Sequence, residues 1–146
     1  VTNYWTEEEL SPYKKLIKSG DIDAVMSAHI VNRNLDPAGL PGTLSDKMIN
    51  GLLREKLGFK GVVFSDDMHM NAISKQYGLK ESLKLSINAG IDIVCFSHNL
   101  PDDRESNAEK VHRTIRELVM EGAIRESRID ESYRRIMRLK KQIIIQ

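Results

Sequence analysis

The chain has 146 residues, of which 40% are hydrophobic and 29% charged, a composition typical of one globular domain and not of a disordered segment. Its 22 Lys and Arg residues nearly balance its 21 Asp and Glu residues, so we expect neither nucleic acid nor a membrane surface as a partner. One cysteine excludes an internal disulfide framework, and no apolar run reaches the roughly 18 residues of a membrane-spanning helix.

The first half of the chain predicts a helix, a strand, a loop and a second helix. The capping-box pattern Thr6-Glu7-Glu8-Glu9 indicates a helix start, and the helix is expected to run to about residue 18. Residues 22–30 predict a buried strand, and the Pro- and Gly-rich residues 32–42 predict a loop. Residues 45–57 carry apolar side chains at helical spacing behind a serine that suits the N-cap.

The second half alternates strands and helices. Residues 61–65 and 91–96 are short apolar runs, typical of strands that are buried on both faces in a parallel sheet. A helix is expected over 81–89, and two more over 104–121 and 129–142. The basic residues of the last third recur at helical spacing, so we interpret them as a solvated helix face: Arg125, Arg128, Arg134, Arg135, Arg138, Lys140 and Lys141.

The order of these elements predicts an α/β fold built from parallel βαβ units. An eight-stranded (β/α) barrel needs about 250 residues. We therefore expect residues 1–146 to form a single unit, a partial (β/α)8 TIM barrel with about its last three βα units and a C-terminal helix. Such a unit leaves strand edges unpaired, so we expect self-association through the open edges or folding with another segment.

Polar residues follow each predicted strand, where βα folds gather their function. Asp66 stands directly after the apolar strand Val62-Val63-Phe64, a position that suits a nucleophile, a general base or a metal ligand; the alternative is an N-cap for the next helix. Asp67 suits a cap or a hydrogen-bond partner. The other candidates at this rim are His29, which suits orienting a carboxylate or contacting a polar ligand, and the weaker His69 and His98.

A metal site from the candidate histidines and Asp66 is chemically possible, but the spacing matches no known ligand motif. The sequence also contains no phosphate-binding loop, no dinucleotide fingerprint and no nucleophile-elbow motif. We therefore predict that the chain uses no metal and no cofactor.

The segment Leu52-Leu53-Arg54-Glu55-Lys56, followed after four residues by Gly61-Val62-Val63-Phe64-Ser65-Asp66, resembles the active-site signature of glycoside hydrolase family 3. The signature has two aliphatic residues, a basic residue, a charged residue two further on, a four-residue spacer, Gly, three apolar residues, Ser or Thr, and the nucleophilic Asp. Asp66 falls on that Asp. The pattern asks for a small or polar residue three positions later, and His69 departs from it.

Most of the remaining chain resembles the β-N-acetylhexosaminidase branch of that family. The similar segments are Asp23 to His29, Pro41 to Ser45, Ser65 to Met68 with Met70 and Ala72-Ile73, Asn88 to Val94, and Ile129 to Lys140. The resemblance implies retaining hydrolysis of terminal β-linked N-acetylglucosamine through a covalent glycosyl-Asp66 intermediate. It makes the substrate a carbohydrate, and it places Met68 beside Asp67, His29, His69 and His98 as a candidate substrate-binding or supporting residue.

In this branch the acid/base is a His–Asp dyad on a loop with a Lys-His…Pro-Gly-His-Gly motif. That motif is absent from the 146 residues, so the chain is expected to hold the nucleophile without the proton donor. Two alternatives stay open: an inactive fragment that lacks the acid/base loop, and an unrelated barrel-type metal-dependent hydrolase.

Overall fold

The computed structural model describes residues 1–97 and 108–144 of the chain. Three parallel strands form one sheet in the order β1 (Ala24–Met26), β2 (Val62–Asp67) and β3 (Ile93–Cys95). The helices are α1 (Ser11–Ser19), a π-helix (Lys47–Lys56), α2 (Asn71–Ala89), α3 (Ala108–Met120) and α4 (Glu126–Ile144), with short 3-10 turns at Glu7–Leu10 and Gly42–Leu44. The predicted α/β class is confirmed.

The first strand is much shorter than predicted. Its three residues pair in register with residues 62–64 of β2, and the Ser27 N–H still donates to Phe64 O at 2.9 Å. The chain then leaves the sheet, because Val31 forms an antiparallel bridge with Pro41. Ile30, which the prediction had assigned to the strand, instead accepts the N–H of Gly42 at 2.9 Å.

Two helices differ from their predicted form for local reasons. The helix expected over 45–57 forms with π-type bonding, and Ser45 Oγ accepts the Met48 N–H at 3.2 Å. Helix α2 begins ten residues before the predicted residue 81, and Gly78 at φ 65° kinks it. This left-handed conformation suits glycine and interrupts the helical spacing, which hides the first half of the helix from a periodicity argument.

The apolar core is organised around the sheet in three clusters. One lies between the sheet, the π-helix and the end of α2, and it centres on Val63, which is fully buried. A second joins α2 to α3 and α4 through Leu83 and Leu118, and a third, of Leu44, Met68 and Ile73, lies near the carboxyl end of β2. Complete burial of one such side chain contributes about 1.5–3 kcal/mol, so the clusters hold the helices firmly on the strands.

A buried charge cluster closes the amino end of the sheet. The side chain of Asp92, just before β3, is 0% exposed and accepts five hydrogen bonds from other segments. The donors are Arg54 (2.7 Å), Arg128 (3.1 Å), Arg135 (3.0 Å), Ser132 Oγ (2.8 Å) and the Val63 N–H (3.0 Å). We call Asp92 and its four side-chain partners the amino-end cluster. It fixes the last helix and the π-helix to the starts of β2 and β3.

The cluster corrects the interpretation of the basic C-terminal residues. Arg128 and Arg135 do not belong to a solvated face, since their side chains are only 12% and 22% exposed and bind Asp92. Burial alone would raise the pKa of Asp92, but hydrogen bonds from Val63 and Ser132, with the positive charges nearby, hold that pKa below its usual value. These two arginines, despite their helical spacing, therefore belong to a buried ion network.

No helix within residues 1–97 and 108–144 is long and apolar enough to cross a membrane.

Candidate active site

The candidate residues that the structure describes meet at the carboxyl ends of the three strands. His29 follows β1, Asp66 and Asp67 end β2, His69 follows β2, and Ser97 follows β3. We call these five residues the carboxyl rim. Because parallel strands end at the same edge of a sheet, one rim collects side chains that lie far apart in sequence.

Asp66 is the least committed carboxylate of the rim. It is half-buried, and its Oδ1 accepts the N–H of Asp67 at 2.8 Å. Within residues 1–97 and 108–144, no other hydrogen bond or ion pair reaches this side chain. The N-cap of α2 is Met70, so Asp66 does not cap that helix. The carboxylate is thus placed to act as a nucleophile or a base.

Asp67, by contrast, is fixed by several donors. Its Oδ1 accepts the N–H groups of Ser97 and His69, both at 3.0 Å, and its Oδ2 accepts the Ser97 hydroxyl. Burial alone would raise the pKa of Asp67, but the hydrogen bonds from Ser97 and His69 outweigh it and lower that pKa. The side chain ties the end of β2 to the residue after β3.

His29 links the end of β1 to the same point. Its Nε2 lies 2.8 Å from Asp67 O, and since a carbonyl oxygen only accepts, Nε2 carries the proton and donates. The buried Nδ1 has no hydrogen-bond partner in the part of the chain that the structure describes. His29 therefore contacts the backbone of Asp67, the residue that follows Asp66 in the chain.

His69 and Met68 are both buried at the carboxyl end of the sheet. His69 is 9% exposed, its Nδ1 donates to Ser97 O at 2.6 Å, and its ring meets Phe96 edge-on at 5.0 Å. Met68 is 2% exposed and packs in the core, where its N–H donates to Cys95 O at 2.9 Å. The departure from the signature at His69 is therefore accommodated by burying the ring and bonding it to the end of β3.

Two residues of the site were missed by the sequence argument, and one prediction is left open. Ser97 binds both the side chain of Asp67 and the ring of His69, yet a single serine after a strand gives no sequence signal. Ser65 accepts the Cys95 N–H through its hydroxyl, at 2.8 Å.

His98 lies outside the described residues. No group of three or more potential metal-binding side chains occurs in the described part of the chain.

Curated relatives match part of this chain. The β-hexosaminidase of Tolumonas auensis is 36% identical over 98 residues, which cover 65% of this chain and 29% of that protein. The β-hexosaminidase of Neisseria meningitidis serogroup C is 38% identical over 94 residues, covering 64% of this chain and 25% of that protein. The chain thus spans less than a third of the length of these relatives.

Solved structures share the fold over most of the chain. A glycoside hydrolase family 3 β-N-acetylglucosaminidase from a Paenibacillus species superposes with a TM-score of 0.80 at 37% identity, covering 94% of this chain and 26% of that one. The β-N-acetylglucosaminidase of Thermotoga maritima gives 0.78 at 32% identity, covering 90% of this chain and 28% of that one. Residues 3–139 match the sequence model of the glycosyl hydrolase family 3 N terminal domain. The chain therefore belongs to glycosyl hydrolase family 3.

Proposed function

We propose that this chain carries the nucleophile of a retaining glycoside hydrolase that removes terminal β-linked N-acetylglucosamine, and that the nucleophile is Asp66. The observation that carries the proposal is the contrast at the end of β2. Asp66 stands on the signature position with an uncommitted carboxylate, whereas the adjacent Asp67 is held by Ser97 and His69. The β-N-acetylglucosaminidases of similar fold support the choice of sugar.

The proposed reaction has two steps at one carbon. An oxygen of Asp66 bonds to the anomeric carbon while the bond to the aglycone oxygen breaks, and that oxygen leaves with a proton from an acid. Water then attacks the same carbon and gives a proton to the conjugate base of that acid, while the bond between the carbon and Asp66 breaks and the sugar is released. Each step inverts the anomeric centre, so the product retains its original configuration.

The three strands are proposed to be part of a (β/α)8 barrel. Parallel order, helices on the connections and polar residues at the carboxyl ends agree with that architecture. Within the described residues β1 and β3 each pair on one side only, so their outer edges are open to another strand. A second copy of the chain or another segment of the same protein would complete the sheet.

The test uses a substrate that does not depend on the acid. No Lys-His…Pro-Gly-His-Gly motif occurs in the 146 residues, and loss of a proton donor typically costs about 10²–10⁴-fold. Dinitrophenolate leaves without protonation, so 2,4-dinitrophenyl N-acetyl-β-glucosaminide bypasses that loss. We expect this chain to release dinitrophenolate at least about tenfold faster than Asp66→Asn, a difference of about 1.4 kcal/mol in transition-state stabilisation.

Two controls make the comparison specific. Asp130→Asn removes an exposed carboxylate on α4 and should behave as the unchanged chain. The matching dinitrophenyl β-glucoside, which lacks the N-acetyl group, should be hydrolysed more slowly. Equal rates for the unchanged chain and Asp66→Asn would reject Asp66 as nucleophile and favour the inactive-fragment alternative.

A further inference from the structure

The pairing of β2 with β3 contains one extra residue in β2. Phe64 pairs with Ile93 and Asp67 pairs with Cys95, so three steps along β2 (67 − 64) face two steps along β3 (95 − 93). In an unbroken ladder the partner of Cys95 would be Asp66. Such bulges interrupt the two-residue alternation of side chains and occur next to active sites, where they redirect a side chain.

The bulge is bridged by the hydroxyl of Ser65. The Cys95 N–H donates to Ser65 Oγ at 2.8 Å, and Cys95 O accepts the Met68 N–H at 2.9 Å. A regular parallel ladder would satisfy the Cys95 N–H with a backbone carbonyl. Ser65 is fully buried, so its hydroxyl has no contact with bulk solvent. The Ser65 hydroxyl oxygen therefore replaces the backbone carbonyl that would accept this N–H in a regular ladder.

The two carboxylates diverge on the far side of the bulge. Asp67 takes the place opposite Cys95 and extends its carboxylate to Ser97, beyond the end of β3. Asp66 lies in the bulged stretch, and its carboxylate accepts only the N–H of Asp67 among the described residues. Without the extra residue, Asp66 would occupy the paired position that Asp67 now holds.

We propose that Ser65 is a positioning residue, whose hydroxyl holds the β2 bulge that aims the Asp66 carboxylate at the sugar. The inference rests on the proposed function of Asp66. It also gives a physical reason for the serine or threonine that precedes the aspartate in the signature, because only these two residues place a hydroxyl on Cβ. Ser65 acts through backbone geometry and does not touch the reacting atoms.

The test compares two buried serines at opposite ends of the sheet. Ser65→Ala should lower kcat for the dinitrophenyl N-acetyl-β-glucosaminide about tenfold or more with little change in KM, since a displacement of about 1 Å can cost 10²-fold. Ser65→Thr should recover most of the rate. Ser132→Ala deletes a buried hydroxyl from the amino-end cluster and should lower stability while leaving kcat unchanged.

Amide exchange of Cys95, measured by NMR, reports the bulge without any catalysis. Exchange should accelerate in Ser65→Ala and stay slow in Ser65→Thr. If Ser65→Ala does not fold, Ser65→Val against Ser65→Thr provides the same comparison, because the two side chains match in shape and differ in the hydroxyl.

The outcomes separate the two proposals. If the unchanged chain is faster than Asp66→Asn and Ser65→Ala keeps the full kcat, the role of Ser65 is overturned and the proposed function stands. An unchanged Cys95 exchange in Ser65→Ala overturns it as well, whatever the rates. Equal rates for the unchanged chain and Asp66→Asn overturn the proposed function, and the aiming role falls with it.

Discussion

Two aspartates at opposite ends of the same sheet have contrasting surroundings. Asp92, at the amino end, has a completely buried side chain that is bound by three arginines, a serine and a backbone N–H. Asp66, at the carboxyl end, is half-buried, and the N–H of Asp67 is its one partner among the described residues. A carboxylate whose lone pairs are all engaged stabilises the fold, while one left largely unengaged is available for chemistry.

The difference follows from how the sheet is built. The amino ends of β2 and β3 are covered by the π-helix and α4, which bring Arg54, Arg128 and Arg135 onto one acid. At the carboxyl end, the N–H groups of Ser97 and His69 donate to Asp67, so they are not available to Asp66. Substitutions at the two ends of the sheet distinguish a structural carboxylate from a chemical one.

The largest expected effect is on stability, from Asp92→Ala. Removing the acid leaves Arg54, Arg128 and Arg135 partly buried without their shared counter-charge, which typically costs about 3–5 kcal/mol. Urea unfolding followed by circular dichroism measures the loss. A decrease below about 1 kcal/mol would show that the amino-end cluster is not needed to hold the helices.

A smaller loss is expected from Gly61→Ala at the start of β2. A Cβ at Gly61 would lie 2.2 Å from Asp23 O, the backbone acceptor of the Val62 N–H, and 2.6 Å from the Phe59 ring. Relieving such a contact typically costs about 1–3 kcal/mol. The matched control is Gly51→Ala on the π-helix, where the nearest atom is 4.0 Å away and stability should hold or rise slightly. Equal midpoints in urea would contradict the close approach.

Acid should weaken the chain through the amino-end cluster. The pKa of Asp92 is lowered in the fold from an ordinary 3.8, so its stabilisation is present above that value and is lost as pH falls through the lowered pKa. The free energy of unfolding should therefore decrease as the pH falls below 3.8. Asp92→Asn, which cannot ionise, should be less stable at pH 7 and should show a flatter acid limb. Parallel limbs would contradict the assignment.

The smallest expected effect on stability is from Asp66→Asn. Its carboxylate accepts one hydrogen bond, from the neighbouring N–H, and an amide oxygen can accept the same bond. Thermal unfolding should show a change within about 0.5 kcal/mol. A loss comparable to that of Asp92→Ala would mean that Asp66 is a structural carboxylate, contrary to the division drawn between the two ends.

Much of this architecture could be predicted from local patterns. The apolar runs before Asp66 and around Val94 identified two of the strands, and the signature placed Asp66 at the end of a buried one. Local patterns failed where tertiary contacts decide. Arginines at helical spacing look solvated until the chain brings them to Asp92, and Gly78 breaks the period of a helix that continues.

The site was predicted in part for the same reason. Asp66 and Asp67 are adjacent in sequence, so predicting one strand is enough to place both at the carboxyl rim. Their different surroundings depend on Ser97 and on the bulge, and the register between β2 and β3 is a property of the assembled sheet. The hydroxyl of Ser65 is part of the signature, but its partner Cys95 is known only once the strands are paired.

The most direct test of the nucleophile is the covalent intermediate itself. The chain is incubated with a 5-fluoro N-acetylglucosaminyl fluoride, whose ring fluorine slows the second step, and is then quenched, digested and sequenced by mass spectrometry. We predict a sugar attached to the Asp66 side chain, retained in Asp130→Asn and absent in Asp66→Asn. A sugar on Asp67, or labelling that persists in Asp66→Asn, would contradict the account.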